Sequence, residues 1–332
     1  MEIVALLILI GVFLAATGVG LLLAPFSSRR RPLRIAAFGL TYFLTEIGAL
    51  VALAALWLRR PHIGPWHVGS DERWRSSHQA LLAWTLGRVL AAARVCAGFR
   101  LVVNQDKEAA SLFDEQPILA LARHGGPGDS FALVHLLLTQ YRRGVRIVLK
   151  EILQLDPVLD LLLNRLGSYF LPSRHGAGED LAERLGEIAG DLRRREVLLI
   201  FPEGANWTPA RRHRSITHLR RHGDAELARA AVLMTNVLPP RMGGVLACLE
   251  SRPDLPVVVL AHTGLDRLTR ARQIWEQLPF AAPMSVRSWS TAPPPVGEDP
   301  RRQWLLTEWA VVDEWIEMSR ATPGDTAGTD NG

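Results

Sequence analysis

The sequence places a histidine and an aspartate at a spacing suited to proton transfer. His124 and Asp129 bound the segment HGGPGD, which lies between an apolar run and a helical pattern. A Gly-Gly-Pro-Gly turn lets the chain reverse, so the two side chains can approach each other. An aspartate bonded to one ring nitrogen would fix the histidine tautomer and leave the other nitrogen free to act as a base. The alternative is that Asp129 only caps the following helix.

The same spacing recurs at His175 and Asp180, in HGAGED, so spacing alone does not choose the pair. A second chemical signal is FPEG, in which Glu203 and Gly204 follow an apolar run. A turn after a buried parallel strand would present backbone N–H groups and one carboxylate to the crevice where such sheets bind ligands. The alternative is an ordinary turn between a strand and a loop.

The elements that must position these residues alternate after about residue 61. Apolar runs of strand length are separated by segments of helical period, which is typical of an α/β domain with a largely parallel sheet flanked by helices. The predicted strands are 99–104, 117–123, 145–150, 168–174, 196–202, 255–262 and 284–290, and the predicted helices are 76–96, 130–141, 178–194, 224–237 and 300–319.

Two apolar stretches precede this domain. Residues 3–26 are uncharged and long enough to cross a hydrocarbon core of about 30 Å, and 35–58 form a second apolar stretch that contains one acid, Glu46. They predict a membrane-anchoring helical hairpin over 1–60, followed by a catalytic domain over 61–320 and a disordered tail over 321–332. Arginines occur both in the loop that connects the two helices and after the second helix, so the positive-inside rule does not choose between a spanning and a re-entrant anchor.

The composition also points to a membrane. The 332 residues carry 38 Lys+Arg against 33 Asp+Glu, a formal net charge of +5, and 48% of them are hydrophobic. A basic and apolar chain favours a lipid surface over nucleic acid. The two cysteines, Cys96 and Cys248, lie in apolar runs and form no metal-ligand pattern, which excludes a disulfide framework and a zinc site.

Two further segments could touch lipid. The apolar stripe of 304–316 contains three tryptophans and suits either an interfacial helix or a terminal helix packed on the domain. Segment 208–222 holds five arginines and three histidines, which is consistent with docking on anionic headgroups or with a solvated polar loop.

The motifs occur in an order that resembles a known family. HGGPGD, then SYFLPSR, then FPEG and then DLPVVVLAH are similar to the glycerophospholipid acyltransferases, which include 1-acylglycerol-3-phosphate acyltransferases. The resemblance covers about residues 75–290 and selects the first histidine–aspartate pair. FPEGANWTPARRHRS followed by VLPPRMGGV is more similar to the branch with eukaryotic-type lysophosphatidate and lysocardiolipin acyltransferases.

The resemblance implies transfer of a fatty acyl group from acyl-CoA or an acyl carrier protein to the free hydroxyl of a lysophospholipid, most directly 1-acylglycerol-3-phosphate. No cofactor and no nucleic acid would take part. His124 would remove the hydroxyl proton and Asp129 would orient it, without a covalent acyl-enzyme. Glu203 and Gly204 would shape the acceptor site. The catalytic domain is expected on the cytoplasmic face of the cytoplasmic membrane, with the bilayer as a partner.

Three cationic residues are candidates for binding the acceptor phosphate. Arg174 and Arg241 offer guanidinium forks that suit phosphate, and Lys150 ends a predicted strand. The chain departs from the family at Arg123, where asparagine is common, and at FPEGAN, where FPEGTR is usual. The missing arginine leaves open a lysocardiolipin-like, glycolipid or polyol acceptor, and also a non-catalytic lipid-binding protein on the same fold. A serine hydrolase using Ser130 is disfavoured because no GxSxG elbow is present.

Overall fold

A single seven-stranded sheet organises the protein. The computed structural model describes residues 15, 18–22, 28–59, 72–104, 107–126, 128–172, 177–221, 225–266, 268 and 271–321. Within these residues all seven predicted strands are present, and most of them are shorter than expected. They are β1 Leu101–Asn104, β2 Ile118–Ala122, β3 Gly144–Lys150, β4 Tyr169–Leu171, β5 Glu196–Ile200, β6 Val257–Thr263 and β7 Met284–Ser290.

The strand order brings the motif-bearing strand ends to one edge. The order is β1-β7-β6-β2-β5-β3-β4, so β2 lies at the centre between β5 and β6. β2 is parallel to both neighbours, and β6–β7 is the antiparallel pair of the described sheet. The prediction of a largely parallel sheet is therefore confirmed, and the carboxyl ends of β2, β3, β5 and β6 face the same side of the molecule.

Helices cover both faces of the sheet. The five predicted helices are present with shifted ends, and four shorter ones were not predicted. The helices are α1 Arg31–Leu58, α2 Glu72–Ala92, α3 Asp129–Thr139, α4 Pro157–Arg165, α5 Ala177–Gly190, α6 Pro209–Arg221, α7 Ala225–Leu233, α8 Met242–Ser251, α9 Ala271–Gln277 and α10 Glu298–Ala321. The loop alternative for 208–222 is wrong because α6 occupies most of that segment.

The core divides into two layers, one on each face of the sheet. Along β2, Ile118 and Ala120 belong to one hydrophobic cluster, whereas Leu119 and Leu121 belong to the other. This alternation follows from the two-residue period of a strand. The first layer includes side chains of α1 to α4, and the second includes side chains of α5, α8 and α10.

The C-terminal helix α10 is a core element. Leu305, Trp309, Val312 and Ile316 are fully buried in the second layer. The packed alternative for 304–316 is therefore confirmed, and the interfacial alternative is wrong. The physical reason is that the apolar stripe of α10 covers strands that would otherwise expose their own apolar side chains.

Two helices of the described chain are long and apolar enough to cross a membrane, judged by length and composition. They are α1 and Glu72–Ala97, which is α2 together with its last turn. They pack on each other, and α1 also places Ala49 and Leu53 in the first core layer. Helix Glu72–Ala97 was expected inside the soluble domain. Most of the first predicted hairpin helix, 3–26, and the tail from 322 lie outside the described residues.

Candidate active site

The histidine and aspartate of HGGPGD form a contact at the carboxyl edge of the sheet. His124 follows β2 after one intervening residue, and Asp129 is the first residue of α3. The Nδ1 atom of His124 lies 2.9 Å from Oδ2 of Asp129. Gly128 adopts φ = 82°, a left-handed conformation that favours glycine and closes the turn. The side chain of His124 is 23% exposed, whereas that of Asp129 is fully buried.

The carboxylate of Asp129 is surrounded by donors. Its Oδ2 accepts hydrogen bonds from the backbone N–H groups of Gly125 at 2.9 Å and Gly126 at 3.2 Å, and its Oδ1 accepts one from Ser130 at 2.6 Å. Burial raises the pKa of Asp129, but hydrogen bonds from His124 and a second histidine outweigh it and hold the pKa well below its usual range. Asp129 is therefore an anion that can stabilise a positively charged His124.

The second histidine is His262, which sequence reasoning missed. It lies near the end of β6, beside β2, and is fully buried. Its Nε2 atom lies 3.0 Å from the carbonyl oxygen of Arg123 and 3.4 Å from Oδ2 of Asp129. A Cβ on Gly125 would lie 2.8 Å from Cε1 of His262, so this close approach requires glycine. The available signal was a histidine at the end of the apolar run DLPVVVLAH.

Glu203 is buried and holds the backbone of His124. Its Oε1 accepts a hydrogen bond from the backbone N–H of His124 at 3.0 Å, and its Oε2 accepts one from Leu238 at 2.9 Å. The carbonyl oxygen of His124 accepts a further bond from the N–H of Trp207 at 2.9 Å. Burial raises the pKa of Glu203 to about 8, although Arg123 and the two N–H donors act in the lowering direction. The backbone of His124 is thus hydrogen-bonded both to Glu203 of FPEG and to Trp207, which follows it.

Gly204 makes room for Arg241. It has φ = 66°, and a Cβ at this position would lie 2.9 Å from Nε and Cζ of the Arg241 side chain. The backbone N–H of Arg241 donates to the carbonyl oxygen of Pro202 at 2.8 Å, which fixes PPRMGG beside the FPEG turn. Any side chain at Gly204 would push the Arg241 guanidinium away.

The unusual Arg123 points into the protein. It is fully buried, forms an ion pair with Asp266, and donates to the carbonyl oxygens of His262 at 2.9 Å and Asn236 at 2.8 Å. A guanidinium held in this way stabilises the layer behind His124 and has no access to a substrate.

His124 opens on an apolar cavity of about 330 Å³. Lys150, which is exposed at the end of β3, and Arg241 lie at its border, and the Phe201 ring packs 4.8 Å from the His124 ring. Most of the remaining wall is aliphatic. It includes Ile147, Val148, Leu149, Ile152, Leu153, Leu171, Leu181, Leu185, Ile200 and Val245. Such a wall suits an alkyl chain.

A second and larger cavity of about 780 Å³ adjoins the first. Arg241 and Gly204's neighbours Glu203 and Ala205 contribute to its wall, so Arg241 borders both cavities. Basic side chains distinguish this second cavity. They are Arg211, Arg214, Arg241 and Arg302, together with His218. We call it the basic cavity and the first one the apolar cavity.

The structure thus brings together most of the predicted site residues. His124, Asp129, Glu203, Gly204, Lys150 and Arg241 lie in or beside the two cavities. Arg174 and the alternative pair of His175 and Asp180 lie outside the residues whose side chains are described. Burial raises the pKa of the Cys248 thiol to about 12, which makes it a poor nucleophile. Among the described residues no group of three potential metal ligands is present.

Comparison with known proteins gives a family and a similar fold. Residues 101–260 match the family model described as Acyltransferase. The crystal structure of the 1-acyl-sn-glycerophosphate (LPA) acyltransferase PlsC from Thermotoga maritima has a similar fold, with a TM-score of 0.57 and 14% sequence identity. The similarity covers 89% of this chain and 100% of the Thermotoga chain. No curated protein sequence matches significantly.

Proposed function

Because the chain belongs to the glycerophospholipid acyltransferase family, we propose that it transfers a fatty acyl group from a thioester donor to the free hydroxyl of a lysophospholipid. The observation that carries this proposal is the contact between His124 and Asp129 at the mouth of an apolar cavity. The donor is acyl-CoA or an acyl carrier protein, and no cofactor is needed.

His124 acts as the general base. Because Nδ1 faces Asp129, Nε2 is the ring nitrogen left to accept the proton of the acceptor hydroxyl. The resulting alkoxide attacks the thioester carbonyl directly, and the new ester forms as the carbon–sulfur bond breaks. The leaving thiolate then takes the proton from the His124 imidazolium. No protein side chain becomes acylated, and proton and charge balance over the cycle.

Asp129 and His262 keep the base in place. The anionic Asp129 fixes the tautomer of His124 and stabilises its protonated form. His262 contributes one more donor beside Oδ2 of Asp129 and so keeps this carboxylate ionised. Glu203 positions His124 through the backbone and does not touch the substrate.

The acceptor we propose is 1-acylglycerol-3-phosphate, the acceptor named for the Thermotoga protein. Arg241 binds its phosphate, since its guanidinium lies where the two cavities meet. Lys150 and Arg174 remain further candidates. A lysocardiolipin-like, glycolipid or polyol acceptor is the second choice, because FPEG is followed by Ala205 and Asn206 rather than by an arginine.

The acceptor reaches the site from a bilayer. The helices α1 and Glu72–Ala97 have the length and composition of membrane helices, and α1 exposes Leu44, Ile47 and Val51. We place the enzyme at the cytoplasmic membrane with the catalytic domain on the cytoplasmic face, where acyl-CoA and acyl carrier protein are found.

The test is a transfer assay on the purified full chain in detergent, with radiolabelled acyl-CoA or acyl carrier protein and a panel of lysophospholipids. We expect His124→Ala to lower kcat by about 10²-fold or more, because general bases contribute about 10²- to 10⁴-fold. His175→Ala is the matched control and should retain nearly full activity. Comparable losses in both variants would show that the wrong pair was chosen. No transfer by folded wild-type protein to any acceptor would favour the non-catalytic alternative.

A further inference from the structure

The basic cavity carries more positive charge than a single phosphate requires. We propose that it is a binding site for a part of one substrate that bears at least two phosphate groups. This inference rests on the proposed acyl transfer and deepens it, because it concerns which substrate is recognised by charge. The two sources of such a group are the nucleotide end of CoA and an acceptor headgroup with a second phosphate.

The cavity wall is one face of α6. Arg211, Arg214, Ser215, His218 and Leu219 line it, and their spacing places them on the same side of a helix. Arg212 lies on a different side and donates instead to backbone carbonyl oxygens near the end of α7, among them Val232 at 2.8 Å. Of the α6 arginines, Arg212 therefore holds α7, whereas Arg211 and Arg214 line the cavity.

Three of the four arginines in the cavity wall form no ion pair with an acid of the described residues. Arg211 donates to the carbonyl oxygen of Asn206 at 3.0 Å, and Nε of Arg214 donates to that of Ala210 at 3.3 Å. Within the part of the chain that the structure describes, neither of them nor Arg241 forms an ion pair with a carboxylate. Arg302 differs, since it is paired with Glu298.

Charge arithmetic favours more than one phosphate. A phosphate monoester carries a charge of about −1.5 to −2 near pH 7, so the three unpaired guanidinium groups exceed what one such group would neutralise. The acid in the wall, Glu203, is buried and already accepts two backbone hydrogen bonds. The first residue of α8, Met242, also borders the cavity, and a helix N-terminus adds favourable partial charge for anions.

The basic cavity lies next to the proposed site of acyl transfer. Arg241 belongs to the basic cavity and to the apolar cavity that contains His124. The floor of the basic cavity includes Leu219, Leu227 and Leu238, which suits a ligand that also has an apolar part. A substrate held by Arg211 and Arg214 would thus extend past Arg241 towards the reacting atoms.

Binding can be measured without turnover. The probes are inorganic phosphate, pyrophosphate and adenosine 3′,5′-bisphosphate, titrated by calorimetry into the full-length His124→Ala protein in detergent. We expect the probes with two phosphates to bind at least about tenfold more tightly than inorganic phosphate. Adding Arg211→Gln and Arg214→Gln should weaken their binding about tenfold or more and reduce its salt dependence. Adding Arg220→Gln and Arg221→Gln, two exposed positions of α6 outside the cavity, is the matched control and should change neither.

Equal affinity for one and two phosphates, or equal effects of the two double variants, would overturn the proposal. Because the probes bind without reacting, this result does not depend on acyl transfer, and a failed transfer assay with intact binding would refute only the proposed function.

A kinetic experiment identifies the substrate that carries the phosphates. In the protein with His124 intact, Arg211→Gln combined with Arg214→Gln should raise the KM of one of the two substrates. A higher KM for acyl-CoA identifies the nucleotide end as the ligand, and a higher KM for the acceptor identifies its headgroup. Two unchanged KM values would contradict the site.

Discussion

The two cavities that meet at Arg241 have walls of opposite chemistry. The apolar cavity is built from aliphatic side chains of β3, β5 and α5, whereas the basic cavity is built from a polar helix, α6. Burial of an alkyl chain contributes about 0.8 kcal/mol per CH₂ and is insensitive to salt. Exposed cation–phosphate contacts are screened over about 8 Å at physiological ionic strength. The fold therefore separates an apolar wall from a basic one, and His124 lies in the apolar cavity. If the proposed function is correct, a fatty chain and a phosphate-bearing group are recognised in different cavities.

The largest effect is expected from a substitution that impairs proton transfer by His124 and leaves both cavities intact. Asp129→Asn should lower kcat by about 10²-fold or more, because the amide cannot stabilise a protonated His124. The KM values of both substrates should change little, since Asp129 lines neither cavity. Steady-state kinetics with both substrates varied measures this, and a melting curve checks the fold. Large increases in both KM values would mean that Asp129 shapes the cavities instead.

The next effect is at the border of the two cavities. Arg241→Gln should raise the acceptor KM by about 10- to 100-fold, as expected when a hydrogen bond to a charged group worth about 1.5–3 kcal/mol is lost. The KM of the acyl donor should rise much less. If only the donor constant moved, the assignment of Arg241 to the acceptor phosphate would be wrong.

A change confined to the apolar cavity should alter chain-length preference. Leu171 lies at the end of β4 and borders this cavity. Leu171→Trp adds bulk there, so we expect kcat/KM to shift towards shorter acyl donors by about tenfold, while the salt dependence of the acceptor KM stays as in the wild type. Competition between donors of two chain lengths gives the ratio directly. An unchanged ratio would place the acyl chain elsewhere.

The smallest effect concerns the wall between the cavities and depends on pH. The pKa of Glu203 is raised from 4.5 to about 8, so the folded protein keeps a proton that the unfolded chain releases between these values. The contribution of Glu203 to the free energy of unfolding is therefore complete below pH 4.5 and is lost as the pH rises from 4.5 through about 8. Relative to Glu203→Gln, which does not ionise, the melting temperature of the wild type should fall by about 2 °C or more between pH 5 and pH 8. A difference that is constant with pH would contradict this protonation behaviour.

Much of this arrangement could be predicted from local sequence. Apolar runs revealed all seven strands, most clearly β2 and β5, which are buried along their whole length. HGGPGD revealed the pair of His124 and Asp129 because both residues belong to one turn. His262 could not be found in this way, since its partner Asp129 is brought to it only by the pairing of β6 with β2. Likewise, nothing local indicates that Arg123 points inward to Asp266.

Physical reasons also explain why some helices could not be predicted from the sequence. α6 is polar around nearly all of its circumference, so it has no apolar periodicity, and its charged face becomes meaningful only once it lines the basic cavity. α8 begins inside PPRMGG, at Met242, where the prolines and glycines indicate a loop. Helix Glu72–Ala97 was predicted as a helix, but its partnership with α1 is a tertiary contact.

The most direct test of the central claim is a single-turnover quench experiment. Excess enzyme is mixed with radiolabelled acyl-CoA, first without and then with the lysophospholipid acceptor, and protein and lipid are separated after acid quenching. Direct attack by a hydroxyl that His124 activates predicts no label on the protein at any time, and label in the lipid only when acceptor and His124 are both present. Acid-stable label on the protein before the acceptor is added, or transfer by the His124→Ala protein at the wild-type rate, would contradict the account.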